Sequence, residues 1–426
     1  MASPSTDDVR PSRPAAWGAT EIPPVAAAAA APPGADADVA LAGAVEAPLL
    51  GGIASAVALA LAMFVEAVGY GMVAPTLPFL ARQAGAGESR IGFLVGLYAA
   101  VGLLVSIPLG ALANRYGRRT LILVGLACLT AASIGFIFAP SYAWLVVARS
   151  AQGLGATAIW VGSLTVAADL SPSASMGRSL SILTGSWALG FVVGPALGGL
   201  GSVRFPFVLY AALSAAALVA GLALLPETGR PGVRTTLAGI LGVLRLPSVL
   251  ASAAATFSMS FFYGTVEAFL PLMVNARGVG RGGIGLLFMI AGLPSVVLPQ
   301  LTGRLADRLG DRRMIRYGLL YAAVLNASFL LLIERLPLWV LFVLVGVVEV
   351  MVYVPAVALL HRGMERDERI FATGSHSYAF SAGFFLGPLL GGLLVPLGGY
   401  ALMFAMLTVV MLAGVVVAAA ARGRAV

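Results

Sequence analysis

The 426-residue chain has no lysine, one cysteine (Cys128) and two histidines (His361 and His376), and only 10% of its residues are charged. Each scarcity excludes something. Without lysine there is no G-x-x-x-x-G-K-[ST] loop to cradle a nucleoside triphosphate, so the chain is not an ATP-driven pump of that type. A lone cysteine in an apolar run permits neither an internal disulfide nor a thiolate metal cluster, and two histidines leave no His-rich metal site. A soluble domain carries roughly a quarter charged residues, so a tenth cannot clothe a water-facing surface. Apolar length stands in its place: 60% of the chain is hydrophobic and the mean hydropathy is +0.98. That balance excludes a soluble enzyme, a disordered regulator and a secreted disulfide scaffold.

Residues 1–48 are rich in Ala and Pro, and their longest apolar run, Val25 to Ala31, is bounded by prolines. The run is too short to span a bilayer or to act as a secretory leader, so a disordered tail is expected. Beyond it, at roughly 20 apolar residues per span, the runs predict twelve transmembrane helices. Their expected positions are 50–80, 91–113, 119–139, 142–169, 176–200, 205–226, 249–276, 283–304, 314–334, 337–360, 370–395 and 399–421. If the N-terminus is cytoplasmic, 19 of the 26 arginines fall on the inner side and six on the outer, with Arg149 inside a span. The positive-inside rule then places both termini in the cytoplasm of a multi-pass protein of the cell membrane. The net charge of +8 is thereby accounted for by topology, and no nucleic-acid partner is expected.

The chain also repeats itself. Gly110-Ala-Leu-Ala-Asn-Arg-Tyr-Gly-Arg-Arg119 recurs as Gly303-Arg-Leu-Ala-Asp-Arg-Leu-Gly-Asp-Arg312, at an offset of 193 residues. Gly190-x-x-x-Gly194-Pro195-x-x-Gly198-Gly199 recurs at the same offset as Gly383-x-x-x-Gly387-Pro388-x-x-Gly391-Gly392, and Tyr70-Gly71 recurs as Tyr263-Gly264. One offset in separate places implies duplication. The expected organisation is a six-helix bundle over 49–226, a cytoplasmic linker over 227–248, a second six-helix bundle over 249–421 and a short tail over 422–426.

With these motifs the chain resembles the major facilitator superfamily, and within it the twelve-helix drug:proton antiporters. The 110–119 loop is similar to the family's G-x-L-A-D-R-x-G-R-[KR] element. Leu145-x-x-x-Arg149-x-x-Gln152-Gly153-x-Gly155 is similar to its helix 4 element, and Gly190 to Gly199 to the helix 5 element associated with antiport. The resemblance implies an all-α membrane fold of two pseudo-symmetric bundles working by alternating access, a monomer, and no cofactor beyond a proton gradient.

Physical readings accompany these motifs. Gly190, Gly194 and Gly198 share one helix face and allow a neighbouring backbone to approach, while Pro195, like Pro388 in the second half, interrupts the hydrogen-bond ladder. Ordinary helix packing and a sealing role are both open. Gly110 is expected to allow close helix contact and Gly117 a tight turn, with Gly303 and Gly310 their mates; Arg115, Arg118 and Arg119 hold the first loop in the cytoplasm, and Arg308 of the repeat lies on the same side. In the family an acid in this loop is thought to latch one conformation. Here that position is Asn114, which can cap a helix but brings no charge, whereas Asp307 keeps the acid in the second half. Asp169 is the expected partner of the loop arginines.

Four charged residues lie well inside the predicted spans: Glu66, Glu267, Glu349 and Arg149. Each costs roughly 2.5–3.5 kcal/mol on insertion scales, so such residues mark a pathway or a partner. A carboxyl group removed from water is readily kept as the neutral acid and can carry a proton. One proton crossing about 100 mV supplies about 2.3 kcal/mol. The resemblance assigns Arg149 a part in proton transfer, with a snorkelling arginine as the alternative. Tyr70, Trp160, Trp187, Phe261, Tyr263, Tyr353, Tyr378 and Phe384 are the aromatic candidates for the cavity wall, with plain packing as the alternative for each.

The reading is a proton-coupled antiporter that exports small amphipathic or lipophilic organic compounds. Its alternatives are an uptake symporter or facilitator for a small metabolite and, more remotely, a non-transporting membrane sensor or enzyme.

Overall fold

A computed structural model describes residues 52–171, 176–228, 237–361 and 366–421. The segments expected to form the two tails, and most of the linker's first half, lie outside these residues. Every regular element described is a helix: α1 Ile53–Val73, α2 Leu77–Gln83, α3 Glu88–Tyr116, α4 Arg118–Phe138, α5 Tyr142–Leu170, α6 Met176–Gly198, α7 Phe205–Leu224, α8 Leu237–Val243, α9 Pro247–Asn275, α10 Arg281–Val297, α11 Pro299–Leu309, α12 Asp311–Arg335, α13 Leu338–His361 and α14 Arg366–Ala420.

Ten of these helices are long and apolar enough to cross a membrane, and the count is eleven if α10 and α11, bent by 49° between them, are one span. Helix α14 is interrupted at Gly398 and Gly399, whose backbone is non-helical, with Gly399 at φ +65°. The break leaves an arm on either side, which is consistent with the twelve spans expected.

Proline sets the other departures from the sequence reading. The first span breaks between α1 and α2 at Pro75, which supplies no backbone N–H; Ala74 before it stays helical (φ −52°, ψ −54°), and the chain leaves helical geometry at Thr76 (φ −128°, ψ −55°). Thr76 repairs the break by donating its hydroxyl to the carbonyls of Met72 (2.6 Å) and Gly198 (3.1 Å). Position 268 in the second half holds Ala, and α9 runs unbroken through Pro271. Likewise Pro299 opens α11 at the bend in the eighth span.

The glycine seam is built as its spacing requires. A Cβ added to Gly190, Gly194 or Gly198 would lie 2.4, 2.6 or 2.7 Å from the carbonyl oxygens of Phe64, Val68 and Met72 on α1. Helix α6 therefore rests backbone to backbone on α1, an approach open only to glycine. The repeat does the same, with Gly383 and Gly387 against the carbonyls of Phe257 and Phe261 on α9. Neighbouring residues of the motif face the other half: Pro195 packs its carbonyl on Gly285 of α10, and Gly92 of α3 meets the carbonyl of Pro388. One motif thus both closes a bundle and joins the two bundles.

The halves meet most closely at one end. There Arg281, at the start of α10, donates to the carbonyls of Gly198, Leu200, Gly201 and Ser202, which close the C-terminal end of α6. Ser89 of α3 donates to the carbonyl of Gly392 (2.9 Å). One continuous apolar core runs from the second half into this end of the first, taking in Tyr70, Leu77, Leu94 and Phe207. A separate core built on Leu59, Met63, Leu126 and Ile159 belongs to the first half alone.

A carboxylate and arginine site between the two halves

Glu66 of α1 is 2% exposed. Its Oε1 accepts a hydrogen bond from the Tyr98 hydroxyl of α3 (2.6 Å) and its Oε2 accepts one from Trp187 Nε1 of α6 (2.8 Å). Arg149 of α5 is wholly buried. Its guanidinium donates to Gln152 Oε1 (2.7 Å) and to the Val95 carbonyl (3.0 Å), and it lies 4.8 Å from the centroid of the Tyr98 ring. Such a residue does not snorkel. Its Nε has no hydrogen-bond partner, so the charge is compensated by an amide, a carbonyl and an aromatic face in a medium where each of these counts for more than in water.

The second half contributes the other two acids. Glu267 of α9 is 6% exposed, with Oε1 unpartnered. It lines a small cavity with Tyr70, Phe191, Pro195, Tyr263 and Phe288. The cavity measures about 40 Å³, room for about one water molecule. Tyr263 borders it and donates its hydroxyl to the Val345 carbonyl (3.2 Å), beside Glu349 of α13.

Tyr70 is the hub of the aromatic wall. Its ring lies 5.7 Å from Tyr98, 6.3 Å from Trp187, 5.8 Å from Phe191 and, across the interface between halves, 5.8 Å from Phe384. Trp160 packs on Trp187 (5.9 Å), which stacks on Phe191 (5.3 Å). Of the eight aromatic candidates, Tyr70, Trp160, Trp187, Tyr263 and Phe384 therefore surround the acids. Tyr353 stands one turn along α13 from Glu349, within reach of its charge, but makes its ring contact elsewhere, and Phe261 and Tyr378 lie apart from the acids. Phe261 is buried against Phe257, Tyr353 packs edge-on against His376, and Tyr378 joins α14 to α3 through Ser106 (3.3 Å).

At the 110–119 loop, Arg118 pairs with Asp169 and also donates to the Thr165 carbonyl (3.1 Å). Arg119 donates to the carbonyl of Leu222 at the end of α7 (2.6 Å). Gly117 has φ +91°, and a Cβ there would lie 2.2 Å from a carboxylate oxygen of Glu227, so an acid reaches this turn from beyond α7 although Asn114 is itself exposed. Gly310 repeats the turn at φ +88°. The close contact expected of Gly110 is not made: a Cβ there or on Gly303 would meet nothing within 4 Å. The reason is local, because Leu104 and Leu112 of the same stretch are exposed as well. Arg115 lies against the Tyr116 ring at 5.2 Å, and Asp307 and Arg308 are exposed.

Sequence reasoning missed Tyr98, Phe191, Phe288, Glu227 and Arg281 as members of these clusters. Gln152 was legible, since it shares a helix face with Arg149 at i, i+3.

The family model described as Major Facilitator Superfamily matches residues 59–282 and again 252–425. The chain belongs to the major facilitator superfamily. The superfamily consists of transporters, so this is a multi-pass membrane transporter and not an enzyme. Multidrug resistance protein 1 of Bacillus subtilis (strain 168) is 25% identical to it over 348 residues, covering 78% of this chain and 87% of the relative. Quinolone resistance protein NorA of Staphylococcus aureus (strain COL) is 26% identical over 355 residues, covering 78% and 87%. Among solved structures, a peptide transporter, POT, superposes with a TM-score of 0.72 at 14% identity, covering 90% of this chain and 98% of that one. A bacterial homologue of the lysosomal transporter Spinster, inward-facing and unoccupied, gives 0.67 at 15% identity, covering 86% and 94%. Both share the fold of this superfamily member.

Proposed function

We propose that this transporter exports small amphipathic or lipophilic organic compounds in exchange for protons, by alternating access between its two bundles. The observation that carries the reading is the grouping of Glu66, Glu267 and Glu349 around the Tyr70 aromatic cluster, where the halves face each other. Aromatic faces take up flat apolar molecules without a fixed hydrogen-bond pattern. Carboxyl groups with an unpartnered oxygen offer a place for a proton or for a substrate cation. The names of the two bacterial relatives, multidrug resistance and quinolone resistance, agree with efflux. Inner-side termini would make the tightly closed end the outer one, so that this state is inward-facing, and the working unit is a monomer in the cell membrane.

The test is a broad toxicity screen in a host stripped of its own efflux pumps, run with the parent, Glu66→Gln and Glu267→Gln. The parent should raise resistance to several unrelated lipophilic compounds, and each variant should lose most of that protection. Protection by both variants equal to the parent would rule out proton coupling through these acids. Loss of growth on a nutrient in a deletion strain, without drug sensitivity, would favour uptake.

A further inference from the structure

Two buried charged groups of the first half, Glu66 and Arg149, share no direct hydrogen bond, yet one side chain touches both. The Tyr98 hydroxyl donates to Glu66 Oε1 at 2.6 Å, and the face of the same ring lies 4.8 Å from the Arg149 guanidinium. Tyr98 is placed there by backbone packing: a Cβ on Gly153 of α5 would lie 2.7 Å from the Tyr98 carbonyl, so α3 and α5 are in close contact at this level. The other ionisable groups facing this cluster are Tyr70 on α1, Tyr210 on α7 and, towards Arg149 from the second half, Glu267 on α9.

We propose that Tyr98 is a positioning residue through which the protonation state of Glu66 is felt at Arg149. This rests on the proton-antiport reading above and deepens it. With Glu66 ionised, the phenol donates to an anion. That charge-assisted bond enriches the ring in electrons and strengthens its attraction for the guanidinium behind it. When a proton from water reaches Glu66, the acid becomes a donor and the phenol an acceptor, and Tyr98 keeps its own proton. The ring then holds Arg149 less firmly. Arg149, whose Nε lacks a partner, is released towards Glu267, the acid that faces it from the opposite half among the described residues. Proton uptake in one bundle is thereby converted into attraction across the interface, which is what a rocking mechanism needs.

Two arms test the proposal, using the full-length protein in lipid vesicles. In the first, infrared difference spectra between acid and neutral buffer are recorded without substrate. A carboxyl band that Glu66→Gln removes should appear together with a tyrosine ring band. In Tyr98→Phe the tyrosine band should vanish while the carboxyl band persists at higher frequency; a tyrosine band unchanged in Tyr98→Phe overturns the proposal. The second arm uses ethidium as the probe. Tyr98→Phe should lose gradient-driven accumulation about tenfold more than it loses gradient-free counterflow, and Tyr98→Leu, which also removes the ring, should widen the split. Equal losses in both assays, or parent-like accumulation, would show that Tyr98 only packs. Failure of the parent itself to accumulate ethidium under a proton gradient would count against the antiport reading, and the infrared arm would still decide the role of Tyr98.

Discussion

Arg281 and Glu88 occupy the same place in the two halves, 193 residues apart at the start of α10 and α3, and they carry opposite charges. Each backbone also seats a glycine of the other half, Gly199 on Arg281 and Gly392 on Glu88. Only the arginine reaches the carbonyl end of a helix, however, through its four bonds to residues 198–202. The glutamate turns back to Arg82 at 3.3 Å. A cation at a helix C-terminus is worth about 0.3–1 kcal/mol, so Arg281→Ala should shift the equilibrium towards opening at this end by up to about fivefold. Labelling of Ala74→Cys by a membrane-impermeant maleimide, in a Cys128→Ser background, should rise accordingly, and Glu88→Ala should change it less.

The glycine seam predicts a sharp contrast. Gly194→Ala forces a methyl to within 2.6 Å of the Val68 carbonyl, and overpacking of this kind costs about 1–3 kcal/mol. Gly110→Ala enters open space and should be neutral. Thermal unfolding in detergent should show a lowered midpoint for the first variant and none for the second, although both glycines belong to motifs of similar standing in the sequence.

Arg118 and Asp169 form an ion pair with side-chain exposures of 6% and 10%. Removing one partner of a buried pair costs about 3–5 kcal/mol. Arg118→Ala should therefore lower both the yield of folded protein and its unfolding midpoint, and the double exchange Arg118→Asp with Asp169→Arg should recover part of the loss. Recovery is incomplete because the Thr165 carbonyl bond of Arg118 has no equivalent in the exchanged pair.

Arg149→Lys should impair transport at least tenfold with the fold retained. The ammonium keeps the charge but cannot satisfy Gln152 and the Val95 carbonyl with one planar fork while stacking on Tyr98. Ethidium efflux from loaded cells, set beside the amount of protein in the membrane, is the measurement.

Much of this was legible in the sequence because apolar run length, arginine placement and a constant repeat offset are all one-dimensional signals. Glu66, Glu267, Glu349 and Arg149 stood out because charge is so costly in a span. Their partners did not. Tyr98 is one tyrosine among apolar residues of α3, and nothing in its neighbours marks the hydroxyl that meets Glu66 from a different helix. Phe261 and Phe384 read alike as aromatics in spans, yet one packs against Phe257 of its own helix and the other lies against Tyr70. Gly110 and Gly194 also read alike, yet Gly194 rests on the Val68 carbonyl while a Cβ on Gly110 would meet nothing within 4 Å.

The cavity beside Glu267 holds about 40 Å³, whereas pockets for drug-sized ligands enclose about 300–1,000 Å³. Beside Glu267 a substrate therefore finds no finished mould, and these walls must part to admit it there. Selection under such conditions acts through the work of separation more than through fit, so a homologous series of growing volume should differ in entry rate before it differs in retention. Breadth of substrate range would then be a kinetic property of the aromatic wall.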